Sequence, residues 1–138
     1  MMELFDQAGA IPYRISNGAL KVLLISTSSG KNLTIPKGLI DPGYNATETA
    51  VNEAYEEAGI KGRLLTPALG AYDFEKWGGR CRVDVFVMAV TRELEAWPEG
   101  SVRRRIWFNC RKAARQVKHA DLGDLILRLP AFLNRPHL

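Results

Sequence analysis

The chain has 138 residues, of which 46% are apolar and 25% are charged. This length is typical of one domain, and the composition excludes an intrinsically disordered protein. No apolar run approaches the roughly 20 residues of a membrane-spanning helix, and the first residues lack the basic start of a secretory signal. The two cysteines, Cys81 and Cys110, form no C-x-x-C pair. We therefore expect a single domain over residues 1–138, located in the cytoplasm and not in a membrane.

Lysine and arginine together number 19, against 15 aspartates and glutamates, which gives a formal net charge of +4. This mild excess favours polyanionic partners such as phosphates or nucleic acid, although an ordinary protein surface would account for it equally well. The acidic residues concentrate in one segment, which contains Glu48, Glu53, Glu56 and Glu57. The distribution indicates a cation-binding site within a surface that attracts anions.

The predicted elements alternate between strands and helices along the chain. In chain order, strands are predicted over residues 7–14, 21–26, 33–35, 64–74, 81–90 and 106–108. Helices are predicted over residues 46–58, 110–117 and 121–129. Asn45 and Glu48 have the spacing of a capping box at the start of the first helix, Gly59 ends it, and Pro130 stops the last one. This order favours an α/β or α+β domain with helices packed on one sheet.

The segment before the first helix, residues 36–43, contains two prolines and two glycines and is predicted as an irregular loop. Within the helix, the buried face is predicted to consist of Ala50, Val51, Ala54, Tyr55 and Ala58. Glu53, Glu56 and Glu57 are then predicted to lie together on the opposite side.

This clustering of Glu53, Glu56 and Glu57 is unfavourable for the helix. Like charges four residues apart repel, and negative charge in the last turn opposes the helix dipole. A solvated acidic face is one interpretation. The other is that the three carboxylates bind Mg²⁺ or Mn²⁺, which would offset both penalties.

The spacing around this helix resembles the motif of a known family. Gly38 is followed after five residues by position 44 and, after seven more, by the run NEAYEEAGI over residues 52–60. The Nudix box has the pattern Gly, five residues, Glu, seven residues, Arg-Glu, an aliphatic residue, any residue, Glu-Glu, any residue, Gly and an aliphatic residue. Pro36 and Lys37 before the box are also similar to the family.

Further segments extend the resemblance beyond the box. They are the strand that opens at Ala8, the strand over residues 82–91 and the run R-x-W-F over residues 105–108. Together they are most similar to the branch of diphosphoinositol polyphosphate and diadenosine polyphosphate hydrolases.

The resemblance implies a Nudix-type α/β/α sandwich around a mixed sheet, and hydrolysis of a diphosphate linked to another group. By this analogy Glu53, Glu56 and Glu57 are the catalytic carboxylates and bind Mg²⁺ or Mn²⁺, with the Gly38 carbonyl as a further ligand. Either Glu53 or Glu57 would also act as the general base.

Two positions depart from the family pattern, since Tyr44 stands where the box has Glu and Asn52 where it has Arg. In the family these two side chains form an ion pair that braces the loop against the helix. Because both charges are absent together, neither leaves an unpaired partner. We expect the Tyr44 hydroxyl and the Asn52 amide to form a neutral hydrogen bond instead.

The basic residues expected to bind substrate phosphates are Lys37, Arg80, Arg82 and Arg105, with Lys31 as a further candidate. Each could equally be an ordinary surface residue. The expected substrate is an inositol pyrophosphate, a dinucleoside polyphosphate or a nucleoside diphosphate derivative.

The alternative to an enzyme is a non-catalytic module that binds a nucleotide or RNA. RNA is the less favoured partner, because the arginines at positions 103–105 are not interleaved with aromatic residues. Trp77 could stack on a base, but packing in a turn is the stronger interpretation. His119 is expected to flank a helix, and His137 is isolated. The oligomeric state and the number of metal ions stay open.

Overall fold

The computed structural model describes residues 2–135, so His137 lies outside the described residues. In chain order the elements are β1 (Leu4–Ser16), β2 (Ala19–Ser26), β3 (Leu33–Thr34), β4 (Lys37–Leu39), α1 (Ala46–Ala58), β5 (Ile60–Lys76), β6 (Gly79–Glu93), β7 (Arg105–Asn109), α2 (Cys110–Gln116), α3 (Ala120–Leu127) and α4 (Leu129–Leu133). None of the described helices is both long and apolar enough to cross a membrane.

The strands form one mixed sheet in the order β3-β2-β1-β6-β5, with β4 paired to β1 and β7 paired to β2. The long central strands β1 and β6 run parallel, and the other pairs are antiparallel. Alternating side chains of these strands point to opposite faces of the sheet, because the side-chain period of a strand is two residues. The sheet therefore has two apolar faces, and each needs a covering layer.

Helix α1 covers one face, and α2, α3 and α4 cover the other. The first core contains Ala10, Leu23, Ile25 and Met88 of the sheet with Ala54 and Ala58 of α1. The second core contains Ile11, Val22, Leu24 and Val87 with Leu122, Ile126 and Leu129 of the opposite layer. Neighbouring residues such as Ala10 and Ile11 thus belong to different cores. This arrangement confirms the predicted α/β/α sandwich around a mixed sheet.

The buried face of α1 differs from the predicted one. Ala50, Ala54 and Ala58 are buried as expected, but Val51 and Tyr55 are 42% and 40% exposed. Compared with the prediction, the helix is rotated about its axis. The glutamates beside the buried alanines turn towards β4, and Val51 turns towards solvent. As a result Glu53 and Glu57 are partly buried at the border of the core instead of facing solvent on the far side.

Two further expectations were wrong. The loop over residues 36–43 contains β4, in which Gly38 pairs with Ala8 of β1. Pro130 lies in the first turn of α4 rather than after the end of a helix, a position that proline tolerates because its missing N–H has no helical partner there. The preceding helix, α3, ends at Leu127.

Candidate active site

The two ends of α1 are fixed by its own sequence. The Asn45 side chain accepts a hydrogen bond from the Glu48 N–H at 2.8 Å, and the Glu48 carboxylate accepts one from the Asn45 N–H at 3.1 Å. This confirms the capping box. At the other end Gly59 adopts φ 63°, and its N–H donates to the Tyr55 carbonyl at 3.0 Å. The helix therefore ends directly after its last turn, which contains Glu56 and Glu57.

A cleft with a volume of about 390 Å³ opens at this end of α1. It is bounded by α1, by β4, by the hairpin between β5 and β6, and by the segment before β7. Its acidic side chains are Glu53, Glu56, Glu57 and Glu99, and its basic ones are Lys37, Lys76 and Arg103. The structure thus brings together the three predicted glutamates, Gly38 and Lys37.

Glu53 lies directly on the backbone of β4. A Cβ atom at position 38 would overlap the Glu53 carboxylate, so the close approach requires glycine there. Glu53 forms no ion pair within the described residues. Burial, and then repulsion by Glu57, Glu56 and Glu99, raises the pKa of Glu53 to about 8. The carboxylate is therefore positioned where a positive charge would stabilise its ionised form.

Glu57 differs from Glu53 because both of its oxygens have partners. Oε1 accepts a hydrogen bond from the Lys37 backbone N–H at 3.0 Å, and Oε2 accepts one from the Arg103 guanidinium at 3.0 Å. Burial raises the pKa of the Glu57 carboxyl, and these two contacts oppose the shift. The contacts leave the Glu57 carboxylate in one orientation, towards Arg103.

Arg103 connects the segment before β7 to the rest of the cleft. Its guanidinium lies 2.9 Å from Glu99 and donates to the Ser26 carbonyl at 3.0 Å, in addition to the contact with Glu57. The Glu99 N–H donates to the Glu56 carbonyl at 3.0 Å, which attaches this segment to the last turn of α1.

Glu99 and Arg103 are residues of the cleft that the sequence pattern did not predict. The one local signal was their spacing of four residues, which is common for ordinary ion pairs.

The predicted phosphate-binding residues are distributed differently. Lys37 lines the cleft, its Nζ lies 4.9 Å from the centre of the Phe74 ring, and burial lowers its pKa. Arg80 and Arg82, on β6, are exposed and lie 3.0 Å from Asp73 and 3.7 Å from Asp84, respectively. Neither arginine lines the cleft.

Arg105 and Lys31 lie outside the cleft as well. Arg105 donates to the carbonyls of Ala58 and Gly59 at 3.2 and 3.3 Å and stacks on the Trp97 ring at 3.9 Å. It thus supports the end of α1. Lys31 lies in an exposed turn after β2. Substrate binding by Arg80, Arg82 and Arg105 stays a prediction.

The expected hydrogen bond between Tyr44 and Asn52 is not formed. Both side chains are exposed, and no hydrogen bond joins them in the part of the chain that the structure describes. The loop is braced by its backbone instead. The Ile40 N–H donates to the Asp6 carbonyl at 3.0 Å, and the Tyr44 N–H donates to the Asp41 carbonyl at 3.0 Å. These backbone contacts hold the loop without a side-chain contact between Tyr44 and Asn52 among the described residues.

The carboxylates of Glu53, Glu56 and Glu57 line the same cleft, but they do not converge on one metal position. Within residues 2–135, no three histidine, cysteine, aspartate or glutamate side chains are already close enough to hold a metal ion together. The contacts of Glu57 give a physical reason, since both of its oxygens are already engaged by the Lys37 N–H and by Arg103. The donor chemistry nevertheless fits a hard divalent cation, because Glu53 and Glu56 present carboxylate oxygens with no ion-pair partner among the described residues.

Comparison with known proteins agrees with this geometry. The sequence profile of the NUDIX domain matches residues 6–129. The chain belongs to the Nudix family. Nudix hydrolase 16, mitochondrial, from Arabidopsis thaliana is 33% identical over 138 residues, which cover 87% of this chain and 76% of that protein. Diphosphoinositol polyphosphate phosphohydrolase 3-alpha from Mus musculus is 39% identical over 102 residues, covering 71% of this chain and 60% of that protein.

The fold is also shared with solved Nudix structures. A crystal structure of an Ap4A hydrolase from C. elegans has a TM-score of 0.79 and 23% sequence identity, and the match covers 95% of this chain and 99% of that one. The family and its relatives identify this Nudix protein as a hydrolase that acts on pyrophosphate bonds. Its Nudix box is the segment from Gly38 to Ile60, and the cleft lies over that segment.

Proposed function

We propose that the chain hydrolyses a phosphoanhydride bond in a small polyphosphorylated molecule and requires Mg²⁺ or Mn²⁺ to do so. The observation that carries this proposal is the position of Glu53. Its carboxylate lies against Gly38, is surrounded by Glu56, Glu57 and Glu99, and forms no ion pair with any described residue. A metal-binding role supplies the missing positive charge, whereas a solvated acidic face would not require such crowding.

Glu53 and Glu56 would hold the metal, with the Gly38 carbonyl as a further ligand and Glu57 joining them if its contact with Arg103 opens. A bound divalent cation supplies neutralisation of the bridging phosphates and lowers the pKa of water. Mg²⁺ and Mn²⁺ are the ions that carboxylate and carbonyl oxygens suit.

Residues of the cleft would also orient the substrate and accept the proton that the attacking water loses. Lys37 lines the cleft together with the glutamates and would contact a phosphate oxygen of the substrate. Between the two candidate bases, the geometry favours Glu53. Both oxygens of Glu57 are already engaged by the Lys37 N–H and by Arg103, whereas Glu53 has no ion-pair partner among the described residues and would accept the proton of the attacking water once a bound cation keeps it ionised. Arg103 then serves to hold Glu57 in place.

The substrate classes that we propose to test follow from the relatives and from the charge of the cleft. The mouse relative is named for diphosphoinositol polyphosphates and the nematode structure for Ap4A. Both compounds carry several phosphates, as the lysines and arginine of this cleft would favour. A nucleoside diphosphate derivative such as ADP-ribose is the third class.

The test is phosphate or nucleotide release from one member of each class, with Mg²⁺, with Mn²⁺ and with EDTA. We expect turnover of at least one substrate with metal and none with EDTA. Glu53→Gln and Glu56→Gln should each lower kcat by at least about 100-fold, an effect typical of groups that act on the transition state. Glu95→Gln, which removes an exposed acid outside the cleft, is the matched control and should change kcat less than about twofold.

One result would favour the alternative, a non-catalytic binding module. That result is tight binding of a nucleotide or RNA by the wild-type protein with no turnover of any substrate under either metal. This alternative is worth testing because the chain has the uncharged residues Tyr44 and Asn52 where the family has Glu and Arg.

A further inference from the structure

A second pocket adjoins the cleft and shares Lys37 with it as a common wall. It has a volume of about 270 Å³ and lies between β3, the ends of β4 and β5, and the start of α3. Three lysines line it, namely Lys37, Lys76 and Lys118. We call it the lysine pocket. Since Thr27, Thr34, Lys37 and Lys76 line both the pocket and the cleft, one extended ligand can reach from one to the other.

The three lysines of the pocket form no ion pair among the described residues. The one acidic side chain of the pocket among these residues is Glu75, and no carboxylate of these residues lies within 4.0 Å of any of the three lysine ammonium groups. The surplus of positive charge attracts anions and suits phosphate oxygens.

The aromatic residues of the pocket do not offer a stacking surface for a base. The Phe74 ring stacks on His119 with centroids 5.0 Å apart and on Tyr72 at 6.1 Å, and the Lys37 ammonium lies 4.9 Å from its centre. These contacts already occupy the ring. The chemistry that the pocket can recognise is therefore that of phosphate groups rather than of a nucleobase.

We propose that the lysine pocket is a second anion subsite, which binds phosphate groups of the substrate that are not cleaved. This inference rests on the proposed function and narrows it. The substrate then carries further phosphates besides those of the scissile anhydride. These phosphates lie in the lysine pocket, on the opposite side of Lys37 from the glutamates. Multiply phosphorylated rings and linear polyphosphate chains share this chemistry, whereas a diphosphate joined to a neutral sugar does not.

The binding test omits metal, so that the carboxylates cannot recruit phosphate through a cation. Binding of inositol hexakisphosphate and of inorganic tripolyphosphate is measured by calorimetry in EDTA, for the wild type, for Lys76→Gln/Lys118→Gln and for Lys112→Gln. The last variant removes a lysine charge from the exposed face of α2, away from the pocket. We expect the double variant to weaken binding by at least about tenfold and the control by less than about twofold.

The relative affinities of the two probes distinguish a phosphorylated ring from a linear chain. Failure of the wild type to bind either probe, or an equal loss in the control variant, would overturn the proposal. Thermal melting of all three proteins shows whether the lysine variants stay folded, which is expected because Lys76 and Lys118 are exposed.

A kinetic test then links the pocket to turnover. For Lys118→Gln, whose lysine lines the pocket but not the cleft, we expect KM to rise at least about fivefold on multiply phosphorylated substrates and less than twofold on ADP-ribose, with kcat little changed on both. An equal rise in KM on every substrate would contradict a separate subsite. If no substrate is turned over at all, the proposed hydrolysis fails, while the metal-free binding measurement still decides whether the anion subsite exists.

Discussion

The Glu57 carboxylate and the Arg103 guanidinium lie 3.0 Å apart, from Oε2 to Nη2, and their side chains are only 13% and 11% exposed. The pair joins the last turn of α1 to the segment before β7. Because Arg103 also contacts Glu99 and the Ser26 carbonyl, it anchors three parts of the chain at one wall of the cleft. Arg103 thus joins the segment before β7 to both α1 and β2, beside the backbone contact between Glu99 and Glu56.

Replacing Arg103 by methionine is expected to lower the free energy of unfolding by about 3 kcal/mol. The substitution leaves the buried Glu57 carboxylate without its cation and the Ser26 carbonyl without its donor. Urea unfolding at pH 7.5 measures the change. Arg103→Lys should lose less, and the double variant Arg103→Met/Glu57→Gln should recover part of the loss. A stability for Arg103→Met within about 0.5 kcal/mol of the wild type would show that the pair is not structural.

Adding one methyl group at Gly38 is expected to displace Glu53. A Cβ atom there overlaps the carboxylate, so Gly38→Ala should lower kcat/KM by at least about tenfold, as small displacements of catalytic groups do. The decisive measurement is a double-mutant cycle with Glu53→Gln. If Gly38→Ala acts by displacing Glu53, it lowers kcat/KM only slightly further when Glu53 is already replaced by glutamine. If the two substitutions instead lower kcat/KM by independent factors that multiply in the double variant, the effect of Gly38→Ala does not depend on Glu53.

The stability of the metal-free protein is expected to fall with rising pH because of Glu53. Its pKa is raised from 4.5 to about 8, first by burial and then by the neighbouring carboxylates. Between these values the folded protein retains a proton that the unfolded chain releases, so folding becomes less favourable as pH rises. From pH 7 to 8.5, a range in which His119 stays neutral, solvent screening limits the loss to about 0.5–1 kcal/mol.

The measurement is urea unfolding in EDTA at both pH values. Glu53→Gln should reduce the difference between them, since the amide does not titrate. Saturating Mg²⁺ should reduce it as well, because the cation stabilises the ionised carboxylate. A wild-type stability that rises with pH over this range would contradict the account of Glu53.

Arg105 is expected to act on stability rather than on substrate binding. It donates to the carbonyls of Ala58 and Gly59 and stacks on Trp97, so Arg105→Ala should lower the free energy of unfolding by about 1–3 kcal/mol. KM of the folded enzyme should stay within about twofold of the wild type. A KM increase of tenfold or more with unchanged stability would instead support the phosphate-binding role predicted from the sequence.

Features of the site that depend on neighbouring residues were predictable from the sequence. Asn45 and Glu48 are three residues apart and Gly59 follows the last turn, so helix α1 and both of its ends follow from local chemistry. The glutamates of the box follow from the same helix. The interleaving of predicted strands and helices also predicts a layered domain around one sheet.

Other features depend on contacts between distant segments and gave no local signal. Arg103 meets Glu57 across 46 residues of sequence, and only the packing of the chain brings them together. The rotation of α1 depends on β4, because the close approach of Glu53 to Gly38 turns the glutamates inward and Val51 outward. The loop before α1 is held by backbone hydrogen bonds, which side-chain identity at Tyr44 and Asn52 could not reveal.

The central claim is that the crowded glutamates hold a divalent cation, and a Mn²⁺ titration followed by electron paramagnetic resonance at pH 7.5 tests it most directly. The account predicts saturable Mn²⁺ binding by the wild type and by Glu95→Gln, competition by Mg²⁺, and affinity at least about tenfold weaker for Glu53→Gln/Glu56→Gln. No bound Mn²⁺ in the wild type, with or without tripolyphosphate, or equal binding by the double variant, would contradict it.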